Sequence, residues 1–391
     1  MPRVTTLLDE PDTGFGLYLH WPYCQTKCPY CDFNSHVVAA IDHKRWLAGY
    51  LSEIDRLGRE TQGHPLQSVF FGGGTPSLMD PDVVAAIIDR IRATWRMSND
   101  PEITIEANPG SVEAGRFAAY AAGGINRVSI GVQSLDDQAL RQLGRMHSAS
   151  EALKAIDIAR THFARVNFDL IYARQDQDEL SWRNELQRAL SIHPTHISLY
   201  QLTIEEGTVF HDRNARGQLR GLPDEDLSAN LFLMTQDMCT KAGLNAYEVS
   251  NHAAPGEESR HNLTYWRGGD YVGVGPGAHG RLTLGGTRVA TECPKEPLVW
   301  LKSVEKTGRA ELDRIPLTKS DAATEYLLMG LRLYEGVSLN RLQQQFDFTL
   351  DPAKLLPLLE QGLLTSTNNR LAATPSGMML LNSILRQLLA A

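Results

Sequence analysis

Residues 18–35 read YLHWPYCQTKCPYCDFNS and place three of the chain's five cysteines within eight positions. The three follow the spacing C-x3-C-x2-C and are Cys24, Cys28 and Cys31. A β-like run over 15–20 precedes them, and Pro22 and Pro29 keep the segment out of a regular helix. Three thiolates on a loop at the end of a strand can hold three corners of a [4Fe–4S] cluster. The sequence therefore predicts an iron–sulfur centre whose fourth iron has no protein ligand.

Other interpretations of the cysteines are weaker. A structural zinc site needs four closed ligands, and the nearest candidates for a fourth are His20 and His36. A disulfide is disfavoured because the triplet is odd in number and nothing marks the chain as secreted. Of the remaining cysteines, Cys239 lies on a predicted helix and is expected in the core, whereas Cys293 is given no role. The iron–sulfur centre is preferred, with zinc as the alternative.

The triplet, with Tyr18 ahead of it and Tyr30 inside it, resembles the signature of the radical S-adenosylmethionine (SAM) enzymes. Phrases further along narrow the resemblance to the relatives of oxygen-independent coproporphyrinogen III oxidase. Within that group the chain is most similar to the HemW family of haem chaperones, from about Leu17 to the C-terminus. The resemblance implies a [4Fe–4S] cluster, SAM beside it, and haem as cargo.

Strand and helix patterns alternate along the first two thirds of the chain. The predicted strands are 15–20, 67–71, 101–107, 125–132, 165–171 and 195–201. The predicted helices are 41–60, 80–96, 111–122, 150–162, 178–191 and 223–243. Six βα repeats predict an α/β fold with a parallel sheet, as a closed (β/α)8 barrel or a partial one. The resemblance implies the partial, TIM-like (β/α)6 form, whose site lies at the C-terminal ends of the strands.

Three domains are predicted along the chain. They are a radical SAM barrel at 1–245, a β-extension at 246–317 and a helical, winged-helix-like module at 318–391, with a loose lead-in at 1–14. The last module shows helical patterns at 319–333, 338–346 and 352–361, then a hairpin, then a helix from Pro375. It carries as many acidic as basic residues, so it lacks the electrostatic footprint of a DNA-binding domain.

The Gly-rich turn Phe71-Gly72-Gly73-Gly74-Thr75-Pro76-Ser77 follows the second strand. Its glycines allow close backbone approach to a ligand and are expected to leave N–H groups free for a carboxylate. A P-loop is excluded because no Lys-Ser/Thr pair follows. The resemblance assigns the turn to the aminocarboxylate of SAM.

Polar residues at the ends of later strands complete the predicted SAM site. Glu106 could pair with the methionyl ammonium, and the alternative is a solvated acid at the end of a strand. The other assignments come from the resemblance. The full set is Tyr18, Tyr30, Gly73, Gly74, Thr75, Glu106, Gln133, Arg145 and Asp169. After Asp169 the relatives usually read Gly-Leu-Pro, whereas this chain has Ala173-Arg174-Gln175, which predicts a more flexible turn with an added cation.

The phrase His261-Asn262-Leu263-Thr264-Tyr265-Trp266 is the candidate haem motif. A single His beside aromatic residues is most often a packing residue. An imidazole flanked by flat rings could instead ligate haem iron and sandwich the macrocycle. The phrase matches the H-N-x-x-Y-W signature of the HemW family, so His261 is the candidate axial ligand, with Tyr265 and Trp266 beside the ring.

Two functions compete under this resemblance. One is a haem chaperone that delivers haem to client proteins, and the other is an oxidase that acts on the propionate side chains of coproporphyrinogen III. The oxidases read C-x3-C-x2-C-x-C, and here Phe33 takes the last position. They also carry a longer arm before the tyrosine that matches Tyr18. Both differences favour the chaperone, so coproporphyrinogen oxidase activity is not expected. A DNA-binding redox regulator is a third hypothesis, resting only on the winged-helix pattern.

Composition limits the partners and the compartment. A net charge of −8 argues against a nucleic-acid surface. No apolar run reaches the roughly 20 residues that span a bilayer, and the first ten residues lack the apolar core of a signal peptide. We expect a cytoplasmic protein, where thiolates stay reduced. The expected partners are haem, haem-receiving client proteins and a low-potential electron donor, with membrane contact only through clients.

Overall fold

The computed structural model describes residues 13–110 and 114–389, so most of the lead-in 1–14 and the start of the predicted helix 111–122 lie outside it. The strands are β1 (Phe15–Trp21), β2 (Tyr23–Cys24), β3 (His36–Val37), β4 (Leu66–Gly73), β5 (Met97–Ala107), β6 (Arg127–Gln133), β7 (Arg165–Tyr172), β8 (His196–Gln201), β9 (Asn245–Ala246), β10 (Asn251–Ala253), β11 (Asp270–Val274), β12 (His279–Leu284), β13 (Thr287–Glu292), β14 (Ile315–Pro316), β15 (Val337–Ser338), β16 (Leu364–Thr367) and β17 (Arg370–Ala373).

The helices surround the sheet and form most of the C-terminal part. They are α1 (His43–Glu60), α2 (Pro81–Thr94), α3 (Phe117–Ala122), α4 (Asp137–Gln142), α5 (Ala149–His162), α6 (Glu179–Ser191), α7 (Val209–Ala215), α8 (Glu225–Lys241), α9 (Arg260–Trp266), α10 (Pro297–Thr307), α11 (Lys319–Gly330), α12 (Leu339–Phe346), α13 (Pro352–Glu360), α14 (Pro375–Met379) and α15 (Leu381–Leu389).

Within the described residues, twelve strands form one mixed sheet in the order β14-β13-β12-β11-β1-β4-β5-β6-β7-β8-β10-β9. The six strands from β1 to β8 in that order are parallel and stand in chain order, separated in sequence by helices. They are the six predicted strands, and the predicted α/β class is confirmed. Within the described residues this sheet has two free edges, so the barrel is the partial form and not the closed eight-stranded one.

Alternation along β1 explains how one strand serves both the core and the site. Leu17, Leu19 and Trp21 are buried in the main hydrophobic core, against residues such as Tyr50 of α1. Because successive side chains of a strand point to opposite faces, Tyr18 and His20 lie on the other face. That inner face carries the polar residues described below.

The sheet continues beyond the barrel through β11, which pairs in parallel with β1, and then through β12 to β14. Residues 319–389 have a second hydrophobic core and a small sheet, β15-β17-β16. An ion pair between Arg281 and Glu325, 2.6 Å, joins the extension to this C-terminal module. The division at 1–245, 246–317 and 318–391 stays a proposal. None of the described helices is long and apolar enough to cross a membrane.

Candidate metal and cofactor site

The three cysteines lie in the segment that follows β1, on the side where the parallel strands end: Cys24 in the two-residue strand β2, and Cys28 and Cys31 on the loop between β2 and β3. The loop is tied at its base, where the N–H of His36 donates to the carbonyl of Pro22 at 2.7 Å. Within it, the N–H of Cys31 donates to the carbonyl of Cys28 at 3.1 Å, which closes a turn. All three thiols are partly exposed and line one cavity of about 580 Å³. Burial raises the pKa of the Cys24 and Cys31 thiols.

The donor set suits an iron–sulfur cluster. In residues 13–110 and 114–389, no three His, Cys, Asp or Glu side chains are grouped closely enough to hold one metal ion. A [4Fe–4S] cluster has a different requirement, because each thiolate binds its own iron. Two cysteine sulfurs already accept hydrogen bonds: Cys24 Sγ from the Thr75 hydroxyl at 3.3 Å, and Cys28 Sγ from the Arg145 guanidinium at 3.5 Å. Such donors stabilise the negative charge of cluster thiolates.

The Gly-rich turn is pressed against the cysteine loop. A Cβ on Gly74 would stand 2.7 Å from the carbonyl oxygen of Tyr23, and one on Gly73, whose φ is +114°, would stand 2.7 Å from that of Trp21. Only glycine fits at either position, because any side chain would push the two backbones apart.

The backbone N–H groups of Gly73, Gly74 and Thr75 donate hydrogen bonds within the protein, so they are not free for a ligand. The N–H of Gly74 donates to the Trp21 carbonyl at 2.6 Å and that of Thr75 to the Tyr23 carbonyl at 2.8 Å. The N–H of Gly73 donates to Glu106 Oε2 at 3.1 Å. The expectation of N–H groups free for a carboxylate is therefore wrong for these three residues. Their glycines serve close packing of the turn on the cysteine loop.

Two carboxyl groups line the cavity, that of Glu106 on β5 and that of Asp169 on β7. Burial, and then the negative charge of Asp169, raise the pKa of Glu106 to about 8. Burial raises the pKa of Asp169 to about 6, against the lowering effect of hydrogen bonds from Ser198 and Ser129. The Ser129 hydroxyl lies 3.2 Å from Asp169 Oδ1. Glu106 and Asp169 therefore lose their protons at different pH values, and a cationic ligand would favour the ionised form of both.

Arg145 crosses the cavity wall between strands. Its guanidinium donates to Asn108 Oδ1 at 2.6 Å and to the Gly131 carbonyl at 3.0 Å, besides its contact with Cys28. Gln133, at the end of β6, has a φ of +67°, which is unusual for a residue with a side chain. Asn108 was not predicted as a site residue, although it stands two positions after Glu106, just beyond the end of β5.

All of the predicted SAM residues except Tyr18 line the cavity with the three cysteines. Tyr18 lies below them, with its hydroxyl 3.0 Å from Nδ1 of His20. The lining also includes residues that the sequence did not single out: Asn108, Ser129, Gly131, Met146, His147, Tyr200 and Leu202. Most of these lie within two residues of a predicted site residue, so extending each motif along its strand or loop would have found them.

The turn at Ala173-Arg174-Gln175 is anchored, contrary to the expected flexibility. Arg174 is 7% exposed and makes a 2.5 Å ion pair with the equally enclosed Glu185. Its guanidinium also donates to the carbonyl of Ile171 at 2.8 Å. The guanidinium of Arg174 therefore lies inside the protein, because Glu185 from α6 supplies a buried counter-charge. A glycine–proline turn at this place would carry no cation and would need no such partner.

The candidate haem motif forms the short helix α9, and its imidazole is inside the protein. His261 is 1% exposed. Its Nδ1 lies 2.9 Å from the Ser68 hydroxyl and its Nε2 lies 2.5 Å from the Tyr265 hydroxyl. Burial lowers the pKa of His261 to about 3. Haem ligation by His261 stays a prediction, and it requires that one of these nitrogens be released.

Comparison with known proteins agrees with the radical SAM class that the barrel and the cysteine triplet indicate. The Radical SAM superfamily model matches residues 18–180, and the HemN C-terminal domain model matches residues 317–380. Coproporphyrinogen III oxidase (HemN) from Escherichia coli has a similar structure, with a TM-score of 0.81 over 96% of this chain and 90% of that one. At 22% identity this likeness concerns the fold.

Relatives of higher identity extend along nearly the whole chain. Heme chaperone HemW of Escherichia coli (strain K12) is 36% identical over 96% of this chain and 98% of that protein. Radical S-adenosyl methionine domain-containing protein 1, mitochondrial, of Bos taurus is 39% identical over 96% of this chain and 87% of that protein. The chain therefore belongs to the radical SAM superfamily and, within it, to the family that contains these two proteins.

Proposed function

We propose that the protein is a haem chaperone, which binds haem and passes it to haem-requiring proteins. The observation that carries the proposal is Phe33, two residues after Cys31, at the position where the oxidases have a further cysteine. Its side chain is 55% exposed and lines the mouth of the cluster cavity. A phenyl ring offers no thiol there but does offer a flat apolar surface. The near full-length similarity to proteins named heme chaperone HemW supports the same role.

The proposal includes a [4Fe–4S] cluster on Cys24, Cys28 and Cys31 and SAM beside it. When bound and reduced by a low-potential donor, the cluster would supply the one electron that breaks the C5′–S bond of SAM, giving methionine and a 5′-deoxyadenosyl radical. The protein's own part is orientation. Glu106 would accept from the amino group of SAM, while Arg145 and Gln133 would face its nucleoside half. The remaining predicted SAM contacts stay part of this proposal.

Apolar side chains around the mouth of the cavity give a flat hydrophobic ligand a surface. Met146 lines the cavity and is 78% exposed, and Leu202 lies in the same wall. Exposed apolar groups gathered at one opening mark binding sites more often than scattered ones do. Haem has such an apolar face, whereas SAM itself is charged.

The deciding experiment adds haem and coproporphyrinogen III separately to protein reconstituted without oxygen, with SAM and a reductant present. We expect a Soret band that titrates with haem and no protoporphyrinogen IX. Phe33→Ser and Met146→Ser should weaken haem binding. Leu380→Ser, a change of a similarly exposed apolar residue on the C-terminal module, should not. Formation of protoporphyrinogen IX by the wild type would make the protein an oxidase.

The compartment and the protein partners belong to the same proposal. A cytoplasmic location would keep the cluster thiolates reduced. The client proteins would be apo forms of haem proteins, with any membrane contact made through them. We propose no nucleic-acid partner, since the charge balance of the C-terminal module gives DNA nothing to bind.

A further inference from the structure

The inner face of the barrel contains the buried imidazole of His261, which is not among the proposed SAM contacts. His261 enters from α9 and stacks on Phe70 of β4, with ring centroids 5.0 Å apart and planes at 16°. It also stacks on Tyr18 of β1, at 6.3 Å and 25°. Phe70 and Tyr18 are register partners on neighbouring strands. The imidazole therefore stacks on side chains from two neighbouring strands.

The surrounding residues are shaped to receive this ring. A Cβ on Gly16 would stand 3.3 Å from His261 Nδ1, so a side chain at this position of β1 would crowd the imidazole. Ser68, the register partner of Gly16, donates to or accepts from the same nitrogen at 2.9 Å. Tyr265, one turn further along α9, holds the other nitrogen. Both ring nitrogens are thus engaged, which fixes the plane of the imidazole.

Helix α9 is itself anchored to the sheet. The backbone N–H of His261 donates to Glu102 Oε1 at 3.1 Å. Glu102 is fully buried on β5 and forms an ion pair with Arg127 of β6 at 3.1 Å. The Ser259 hydroxyl caps the helix by accepting from the N–H of Asn262. The position of the imidazole is therefore set by the sheet and does not depend on the short helix alone.

A chain of contacts leads from this ring to the cluster loop. The Tyr18 hydroxyl lies 3.0 Å from Nδ1 of His20, and Nε2 of His20 lies 2.8 Å from the carbonyl oxygen of Asn34. Asn34 stands three residues after the last cysteine of the triplet. Burial, and then the charge of Glu106, raise the pKa of Tyr18.

We infer that His261 is a positioning residue for the cluster and SAM site, acting through Tyr18 and His20 on the end of the cysteine loop. Its ring stacks on the ring of Tyr18, and Tyr18 holds His20 against the backbone of Asn34. Without that support, Tyr18 loses a rigid neighbour, and the contact of His20 with Asn34 at the end of the cysteine loop is held less firmly. The inference rests on the proposed function in one respect: that a cluster and SAM occupy the cavity.

The test compares His261→Gln with His252→Gln. Both histidines are 1% exposed, but His252 lies on β10, which five strands of the sheet separate from β1, and its Nε2 stands 3.2 Å from Gln236 Oε1. After anaerobic reconstitution, we would measure iron content, SAM affinity by calorimetry, and the change that SAM makes in the EPR spectrum of the reduced cluster. Tyr265→Phe, which removes only the hydrogen bond to Nε2, is the milder variant in case His261→Gln does not fold.

We expect His261→Gln to bind SAM roughly tenfold more weakly, because changing a residue that supports a metal site commonly lowers affinity by at least this factor. Its SAM-induced EPR change should be altered, and Tyr265→Phe should show the same effects in smaller measure. His252→Gln should match the wild type. Wild-type SAM affinity and EPR response in both Tyr265→Phe and His261→Gln would overturn the inference.

Haem titration of the same proteins separates this inference from the proposed function. If His261→Gln loses haem binding while its SAM affinity and EPR response are unchanged, His261 serves haem and the positioning role is overturned. If the wild type holds a cluster and SAM but binds no haem, the chaperone proposal fails and the positioning role is still supported by altered SAM binding in the variant.

Discussion

Glu106 is the residue whose protonation should govern how tightly SAM is held. Burial and the nearby Asp169 charge raise the pKa of its carboxyl group to about 8. At pH 7, one unit lower, about 0.9 of these groups carry a proton. A carboxylate that accepts from the amino group of SAM must first lose that proton. The loss costs about 1.4 kcal/mol at pH 7, or roughly tenfold in affinity. Because the pKa is raised, this part of the affinity is present above pH 8 and falls as the pH drops below it.

Calorimetry in buffers of different ionisation enthalpy counts the protons released when SAM binds. At pH 7 the wild type should release about 0.9 proton more than Glu106→Gln. Any proton from the amino group of SAM is lost in both proteins and cancels in the difference. Glu205→Gln is the control, because this residue lines the same cavity but is exposed. Equal proton release from wild type and Glu106→Gln would refute the placement of this carboxylate beside the amino group.

Three further predictions follow from the site and its supports. Cys28→Ala should lose the visible absorbance of a centre with about four irons per chain; stoichiometric zinc and no iron in anaerobic wild type would contradict the cluster. Gly74→Ala places a Cβ 2.7 Å from a carbonyl oxygen of the cysteine loop, so iron content should fall while circular dichroism is kept; full iron content would contradict this packing. Arg174→Ala leaves Glu185 buried without its partner and should lower the free energy of unfolding in urea by about 3–5 kcal/mol. Arg45→Ala breaks an exposed pair and should cost less than about 1 kcal/mol; similar losses in both would argue against burial as the cause.

The place of the cysteine triplet in the fold and the order of the parallel strands could be predicted from the sequence, because both depend on local spacing. Three cysteines within eight residues must share one loop, and a β-like run before them must place that loop at the end of a strand. The six parallel strands followed in the same way from alternating βα patterns, and the ends of such strands meet on one side of a sheet. Gln133 and Asp169 were assigned to the site by the family resemblance, and the side-by-side parallel strands explain why both line one cavity.

The partners of individual polar groups depended on tertiary structure, because they come from distant parts of the chain. The N–H groups of the Gly-rich turn are bound by the cysteine loop and by Glu106, a choice that no local pattern contains. Arg174 looks like a surface cation in sequence, but Glu185 of the following helix makes it an internal one. His261 is separated from Ser68 by 193 positions, and only packing across the sheet brings the hydroxyl to its ring. Burial and hydrogen bonding are properties of the assembled core, so they decided whether each predicted residue faces the cavity or supports it from behind.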